Sequence, residues 1–180
     1  MNTFDVAVFD FFHSIANPFL TYSFYTATWF FNAIPATFLF LLASFFICMW
    51  GTRKSLTEFW GAIGFSYALV WAIKVWVNFP RPELGIITAF GPSFPSAHTA
   101  LATTFFFFFL RFMRHEKNIF RRWVHILFCV LSPVVVGMSR LYLGVHWFSD
   151  VLAGFTIGVL ALIVSDYIWK KFHTHVFSLD

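Results

Sequence analysis

The stretch LTEFWGAIGFSYALVWAIKVWV, residues 56–77, is an apolar run in which only Glu58 and Lys74 carry a charge. It exceeds the ~20 residues that an α-helix needs to cross a lipid bilayer. Similar runs recur along the 180 residues of the chain, which is 59% hydrophobic and 11% charged and contains 29 phenylalanines. This composition excludes a soluble globule. Because lipid cannot satisfy unpaired backbone groups, the pattern predicts an all-α, integral-membrane helical bundle.

Five apolar runs are predicted to cross the membrane, and the residues before the first of them leave a sixth crossing open. The predicted spans are Ile34–Trp50, Leu56–Val77, Ala97–Met113, Trp123–Met138 and Trp147–Trp169. Residues 3–15 predict an N-terminal amphipathic helix at the interface, with one apolar face formed by Phe4, Val8, Phe11, Phe12 and Ile15. The run Phe105–Phe109 is predicted to face lipid. We expect residues 1–180 to form a single membrane-embedded domain.

The basic residues predict the orientation of the chain. With the spans alternating, nine of the twelve Lys and Arg residues fall on one side: Arg53, Lys54, five residues between positions 111 and 122, Lys170 and Lys171. The positive-inside rule makes that side cytoplasmic, and the C-terminus with it. The net charge of +4 therefore indicates membrane topology rather than nucleic-acid binding. The other three basic residues fall on the outer side, where they need another explanation.

Polar residues gather at the outer ends of the predicted spans. They are Lys74, Arg81, Ser96, His98, Ser139, Arg140, His146 and Asp150. Three cations without matching acids suit a multiply charged anion, because arginine offers forked donors to phosphate oxygens and lysine a point charge. The helix predicted to begin near Ser96 adds free backbone N–H groups at its N-terminus. Together these features predict a phosphate site.

Two histidines and one aspartate give this site a candidate chemistry. His146 and Asp150 are four residues apart and would share a helical face, so that the carboxylate holds one ring nitrogen and leaves the other free to attack. His98, on a different element, could donate a proton to a departing oxygen. Singly, each residue has a simpler interpretation, such as an interfacial cap or a contact with lipid headgroups. Their occurrence together at one membrane depth favours catalysis.

Three segments of the chain resemble the signatures of the type-2 phosphatidic acid phosphatase superfamily. They are KVWVNFPRP at residues 74–82, PSAH at residues 95–98 and SRLYLGVHWFSD at residues 139–150. Their order and spacing fit, and the resemblance covers about residues 56–165. Ala97 departs from the pattern, because glycine is commoner at that position. A methyl group is easily accommodated at a helix start, although it narrows the room around a phosphate.

The resemblance implies a helical bundle with its active site at the outer end and no metal or other cofactor. It implies that His146 is a nucleophile forming a phosphohistidine, that Asp150 orients it, and that His98 protonates the leaving group. It also implies a set of phosphate-binding positions within the signatures: Lys74, Arg81, Pro82, Ser96, Ala97, Ser139 and Arg140.

The expected function is hydrolysis of a membrane-lipid phosphate on the non-cytoplasmic face, with the bilayer delivering the substrate. Small bacterial proteins of this kind resemble the chain most, which makes undecaprenyl pyrophosphate in the bacterial inner membrane the first expectation. Phosphatidylglycerophosphate and the 1-phosphate of lipid A are the alternatives, and the oligomeric state stays open. Two other classes remain. A vanadium-dependent haloperoxidase shares phosphate-binding residues but is soluble and larger, and a non-catalytic lipid-phosphate carrier would need no nucleophile–acid pair.

Overall fold

The computed structural model describes residues 3–113 and 116–176, and within these ranges the chain forms seven helices and no strand. Side chains are described as far as residue 172. The helices are α1 (Thr3–Ser14), α2 (Pro18–Trp29), α3 (Ala33–Trp50), α4 (Arg53–Val77), α5 (Ala97–Phe112), α6 (Ile119–Tyr142) and α7 (Phe148–Val176). Arg114, one of the predicted cytoplasmic cations, and the C-terminus at residues 177–180 lie outside the described residues. The predicted all-α architecture is confirmed.

Four helices, α3, α4, α6 and α7, are long and apolar enough to cross a membrane, whereas α5 is apolar but has only 16 residues. Each predicted span coincides with one helix. Helix α7 continues seven residues past the predicted end at Trp169, and α6 is longer than predicted at both ends. This helix begins four residues earlier than predicted because Asn118 caps it by accepting a hydrogen bond from the backbone N–H of Arg121. It also continues to Tyr142, which places Arg140 inside its last turn rather than after it.

Helix α5 lies at the centre of the bundle, packed against α4, α6 and α7. The prediction that Phe105–Phe109 faces lipid is therefore wrong for part of the run, since Phe105 and Phe108 are buried. Their rings pack edge-on against Phe59 of α4, with centroids 6.2 Å and 5.1 Å away. Phenylalanine suits lipid and a protein core equally, so the position of α5 among its neighbours decides where each ring points.

Helices α1 and α2 both lie at the end of the bundle where α5 and α7 begin. In α1, Asp5 is the buried residue, and it accepts hydrogen bonds from the backbone N–H and the hydroxyl of Ser149. Both ends of α2 contact the last turn of α6: the Asn17 N–H donates to the hydroxyl of Tyr142, and Thr28 bonds Arg140. Helix α2 therefore lies across the end of the bundle. The predicted N-terminal helix is present. It is held by the Asp5 carboxylate and by contacts of Phe9 and Phe12, whereas Phe11 and Ile15 of the predicted apolar face are exposed.

The opposite end of the bundle carries a cluster of ion pairs. Arg111 of α5 lies 2.7 Å from Glu58 of α4 and 3.1 Å from Asp166 of α7. Lys54 pairs with Glu58 at 3.7 Å, and Lys170 pairs with Asp166 at 2.7 Å, each from one turn away on the same helix. These groups line a cavity of about 750 Å³. Because each of the two carboxylates pairs with two cations, this cluster links three helices.

Candidate active site

His146 and Asp150 meet at the start of α7, although not in the way that their spacing predicts. The prediction that His146 and Asp150 share a helical face is wrong, because α7 begins at Phe148 and His146 lies in the turn before it. The Asp150 carboxylate reaches back over the helix start, where its Oδ2 accepts from the Trp147 N–H at 2.9 Å and lies 3.1 Å from Nδ1 of His146. The aspartate thus caps the turn and orients the imidazole at once.

The turn before α7 depends on a close approach between two glycines. Gly144 has a φ of +66°, a region that favours glycine, and a Cβ placed there would lie 2.8 Å from the Cα of Gly85. The adjacent Leu143 carbonyl accepts the Ile86 N–H at 3.0 Å. The loop after α4 is therefore fastened to the loop that carries His146.

Ser93 belongs to the site, and the sequence analysis missed it. This fully buried side chain donates a short hydrogen bond to Oδ2 of Asp150, and its Oγ lies 3.3 Å from Nδ1 of His146. Its only sequence signal is its position in the proline-rich segment just before Pro95. That signal does not separate it from an ordinary loop serine.

The surroundings of His146 keep its imidazole neutral. Its pKa lies well below 6.5, first because the ring is buried, and then because Arg140, Arg81 and Lys74 repel a positive charge. An Asp150 carboxylate oxygen can only accept, so the ring proton lies on Nδ1. The lone pair is then on Nε2, 3.3 Å from Nη1 of Arg81. A neutral imidazole with a positioned lone pair is the form that a nucleophile requires.

Lys74 and Arg81 hold the loop that covers the site. The Lys74 ammonium donates to the carbonyls of Pro92 and Ser93 at 2.6 Å and 2.9 Å. Arg81 donates from Nε to the Gly91 carbonyl at 2.9 Å and from Nη1 to the Val145 carbonyl at 2.6 Å. Burial lowers the pKa of the Arg81 guanidinium. These cations therefore shape the loop around the site as well as charging it.

Arg140 is the cation with spare hydrogen-bonding capacity. Its side chain is buried, and its Nη1 donates to the Thr28 hydroxyl at 3.1 Å. Among the described residues its Nε has no hydrogen-bond partner. It costs free energy to bury a charged N–H group without an acceptor. An anion bound in the adjacent cavity would accept this hydrogen bond and remove that cost.

A cavity of about 550 Å³ brings six of the ten predicted site residues together: Lys74, Arg81, Ala97, His98, Arg140 and His146. Tyr25, Thr28 and Asn32, from outside the signature segments, also line it. In the same cavity, Nε2 of His98 lies 2.8 Å from Oδ1 of Asn32. Two histidines and three cations thus face one volume large enough for a phosphate-bearing headgroup.

The other four predicted residues support this cavity without lining it. Asp150 stands behind His146. The buried Ser96 caps α5 and accepts from the Thr99 hydroxyl at 3.0 Å, and the buried Ser139 donates to the Val136 carbonyl at 2.6 Å. Pro82 follows Arg81 in the covering loop. The side chains of Ser96 and Ser139 therefore make hydrogen bonds within their own helices and do not line the cavity.

The signature segments lie within a larger match to a known family. The sequence profile of the PAP2 superfamily matches residues 55–173. The chain belongs to this superfamily. Its family and its apolar helices together make it a membrane protein. The region of resemblance predicted from the three signatures, about residues 56–165, falls inside the matched range.

Two relatives and one solved structure extend the comparison. Phosphatidylglycerophosphatase B of Bacillus subtilis is 34% identical over an alignment of 97 residues, and the match covers 49% of this chain and 45% of that protein. YbjG of Escherichia coli, whose name proposes an undecaprenyl-diphosphatase, is 38% identical over 78 residues, which are 43% of this chain and 35% of that protein. These matches thus span less than half the length of each relative.

The fold of the PAP2 chain is that of a solved transmembrane protein. The crystal structure of a transmembrane PAP2-type phosphatidylglycerolphosphate phosphatase from Bacillus subtilis has a TM-score of 0.77 and 22% sequence identity. The superposition covers 93% of this chain and 85% of that one. It includes most of the N-terminal part that precedes residue 55, so the shared fold extends beyond the range of the family match.

Proposed function

We propose that the chain is an integral-membrane lipid phosphatase that works without a metal ion, through a phosphohistidine on His146. The observation that carries the proposal is the neutral imidazole of His146, with its Nε2 turned to a cavity lined by three cations and a second histidine. A carrier of lipid phosphates would need the cations but not a nucleophile held by a buried carboxylate.

In the first step Nε2 of His146 attacks the phosphorus, and the bond from phosphorus to the leaving oxygen breaks. His98 enters as an imidazolium, which the negative charge of a bound phosphate stabilises, and gives its proton to that oxygen. Arg81, Arg140 and Lys74 stabilise the charge on the three other phosphoryl oxygens. Asp150 stabilises the positive charge that the phosphorylated His146 ring acquires.

In the second step water attacks the phosphorus of the phosphohistidine. The neutral His98 takes a proton from this water, which restores the imidazolium, and the bond from Nε2 of His146 to phosphorus breaks. Inorganic phosphate leaves, and both histidines return to their starting forms. Covalent catalysis of this kind divides one difficult displacement into two easier ones.

The first candidate substrate is undecaprenyl pyrophosphate, cleaved to undecaprenyl phosphate and inorganic phosphate. The name of the Escherichia coli relative supports this choice, and the cavity has room for two phosphoryl groups. Phosphatidylglycerophosphate is the second candidate, favoured by the relative in Bacillus subtilis. In both cases the headgroup would enter from the bilayer, because the site opens at the end of apolar helices.

We place the protein in the bacterial inner membrane, with the site facing the periplasm and the C-terminus in the cytoplasm. Support comes from charge: the exposed Arg53 and the cluster around Arg111 lie at the end of the bundle opposite the site. A membrane-impermeant reagent should label a cysteine introduced at Leu84, an exposed residue of the site-end loop, in intact spheroplasts. Labelling of a C-terminal tag under the same conditions would overturn this topology.

The function is tested by phosphate release from the purified chain in detergent, with chelator present. The lipid panel holds undecaprenyl pyrophosphate, phosphatidylglycerophosphate, phosphatidic acid and lipid A. His146→Ala should abolish release, and the matched control His13→Ala, which changes an exposed histidine of α1, should not. Trapping of a phosphohistidine in the wild type and not in His146→Ala would support the mechanism. Full activity of His146→Ala would exclude it.

A further inference from the structure

Asn32 occupies the N-cap of α3 but does not cap it. At the N-caps of α2, α4, α5 and α6 the side chain accepts a hydrogen bond from a backbone N–H three residues on: Asn17, Thr52, Ser96 and Asn118 do so. Asn32 makes no such bond. Three residues after Asn32 the sequence has Pro35, which lacks an N–H. The usual partner of an asparagine cap is therefore missing, and the side chain is free for another contact.

The side-chain oxygen of Asn32 instead meets His98 in the cavity. The distance from Oδ1 to Nε2 is 2.8 Å, and since an amide oxygen only accepts, the imidazole carries a proton on Nε2 and donates it to Asn32. This position therefore forgoes the stabilisation that an N-cap bond gives to a helix, and makes a contact inside the site instead.

The segment that carries Asn32 is fixed to the site by two other residues. Phe31 is buried, and its ring lies 6.2 Å and 6.0 Å from the rings of Phe105 and Phe106 on α5, the helix that also carries His98. Thr28 accepts from Arg140. We call residues 28–32 the α2–α3 corner. It lies before residue 55, where the family match begins.

We propose that Asn32 is a positioning residue for the leaving-group chemistry of His98. This proposal rests on the proposed function, and it gives the α2–α3 corner a part in proton transfer. Asn32 holds the Nε2–H of His98 directed into the cavity, at the place where the leaving oxygen accepts the proton. The oxygen takes over this hydrogen bond as its bond to phosphorus breaks, and the proton passes from Nε2 to it.

Such a role makes the effect of Asn32 depend on the leaving group. An alkyl alkoxide is a poor leaving group and needs protonation, whereas an aryl oxide leaves without help. Loss of Asn32 should therefore slow an alkyl phosphate far more than an aryl phosphate. Thr28 acts through Arg140 on the phosphoryl group, which both substrates share, so its loss should slow both to the same extent.

The test compares lysophosphatidic acid with p-nitrophenyl phosphate as substrates of the purified chain in detergent. Asn32→Leu keeps the size of the side chain but removes the acceptor. We expect its kcat to fall about tenfold or more on the alkyl ester and less than about threefold on the aryl ester, within the ~10²–10⁴-fold that acid catalysis contributes. His98→Gln should show the same selectivity, more strongly. Thr28→Val should lower both rates equally.

Each outcome separates this proposal from the function on which it rests. Retained aryl phosphatase activity shows that Asn32→Leu is folded. Equal losses of Asn32→Leu on both esters would reduce the residue to a structural role and overturn the proposal. A selective His98→Gln beside a non-selective Asn32→Leu would keep the phosphatase mechanism and reject the part of Asn32. A wild-type chain that hydrolyses neither ester and none of the lipids in the panel above would overturn both proposals.

Discussion

The contact between Gly154 of α7 and the first turn of α5 sets the distance between the two histidine-bearing elements. A Cβ at Gly154 would lie 2.8 Å from the Ser96 carbonyl oxygen and 2.9 Å from Cβ of Thr99. Both distances fall about half an ångström short of the 3.4 Å at which ordinary contact begins. Gly154→Ala must therefore push the start of α5, and His98 with it, away from α7.

The cost of this substitution can be bounded. Overpacking costs about 1–3 kcal/mol, and the better helix propensity of alanine returns about 1 kcal/mol, which leaves a net loss of up to about 2 kcal/mol. For activity the shift matters more, because a misplacement of ~1 Å at a reacting centre can cost ~10²-fold. A displacement of His98 by about half an ångström therefore predicts a loss of about tenfold in kcat.

Gly64→Ala on α4 is the matched control. A Cβ there would meet no described atom within 4 Å, so the same chemical change should be neutral or slightly stabilising. Thermal unfolding in detergent and phosphate release should be measured on both variants. If Gly154→Ala has the kcat and the unfolding temperature of Gly64→Ala, the contact between α5 and α7 does not position His98, and the reasoning fails.

Three further predictions concern the bond from α1, the pH dependence and the far end of the bundle. Asp5→Ala removes the acceptor for Ser149 at the start of α7 and should lower the free energy of unfolding by about 1 kcal/mol. Thermal unfolding measures this loss, and a loss no larger than that caused by replacing an exposed aspartate of α1 with alanine would refute it. The lowered pKa of His146 keeps its imidazole neutral until the pH falls through that pKa, so the acid limb of kcat/KM should lie below pH 6.5. A limb at or above 6.5 in a pH series would contradict the described environment. Arg111→Met leaves buried Glu58 without its nearest cation, and because Arg111 is partly exposed we expect a loss of about 1–2 kcal/mol with kcat unchanged, checked by unfolding and by turnover.

The sequence was most informative where one physical constraint leaves few choices. A run such as residues 56–77 must be a helix in lipid, and cations that break the positive-inside rule must meet an anion or a partner. The alternation of helices then places Lys74, His98, Arg140 and His146 at the same end, and this placement is the basis on which the sequence predicts a phosphate site.

The remaining features depend on tertiary docking. Ser93 and Asn32 reach the site through the placement of a loop and of the α2–α3 corner, and the sequence around either residue does not predict that contact. The burial of Phe105 follows from the central position of α5, which an apolar run cannot indicate. The sequence places His146 and Asp150 on one helix because a separation of four residues fits a continuous helix. The same separation also fits the observed arrangement, in which Asp150 lies in the helix and caps the turn that carries His146.

Helix α5 is attached to α7 at both of its ends. At one end the Ser96 N–H bonds the Asp150 carbonyl, and at the other Arg111 bonds Asp166. The two attachments are about 22 Å apart at the helical rise of ~1.5 Å per residue. A displacement of half an ångström at one of them tilts the helix by only about 1°, an angle derived from that same span. Because this angle is so small, the alignment of His98 tolerates a shift at the Arg111 end of α5, which agrees with the unchanged kcat expected of Arg111→Met.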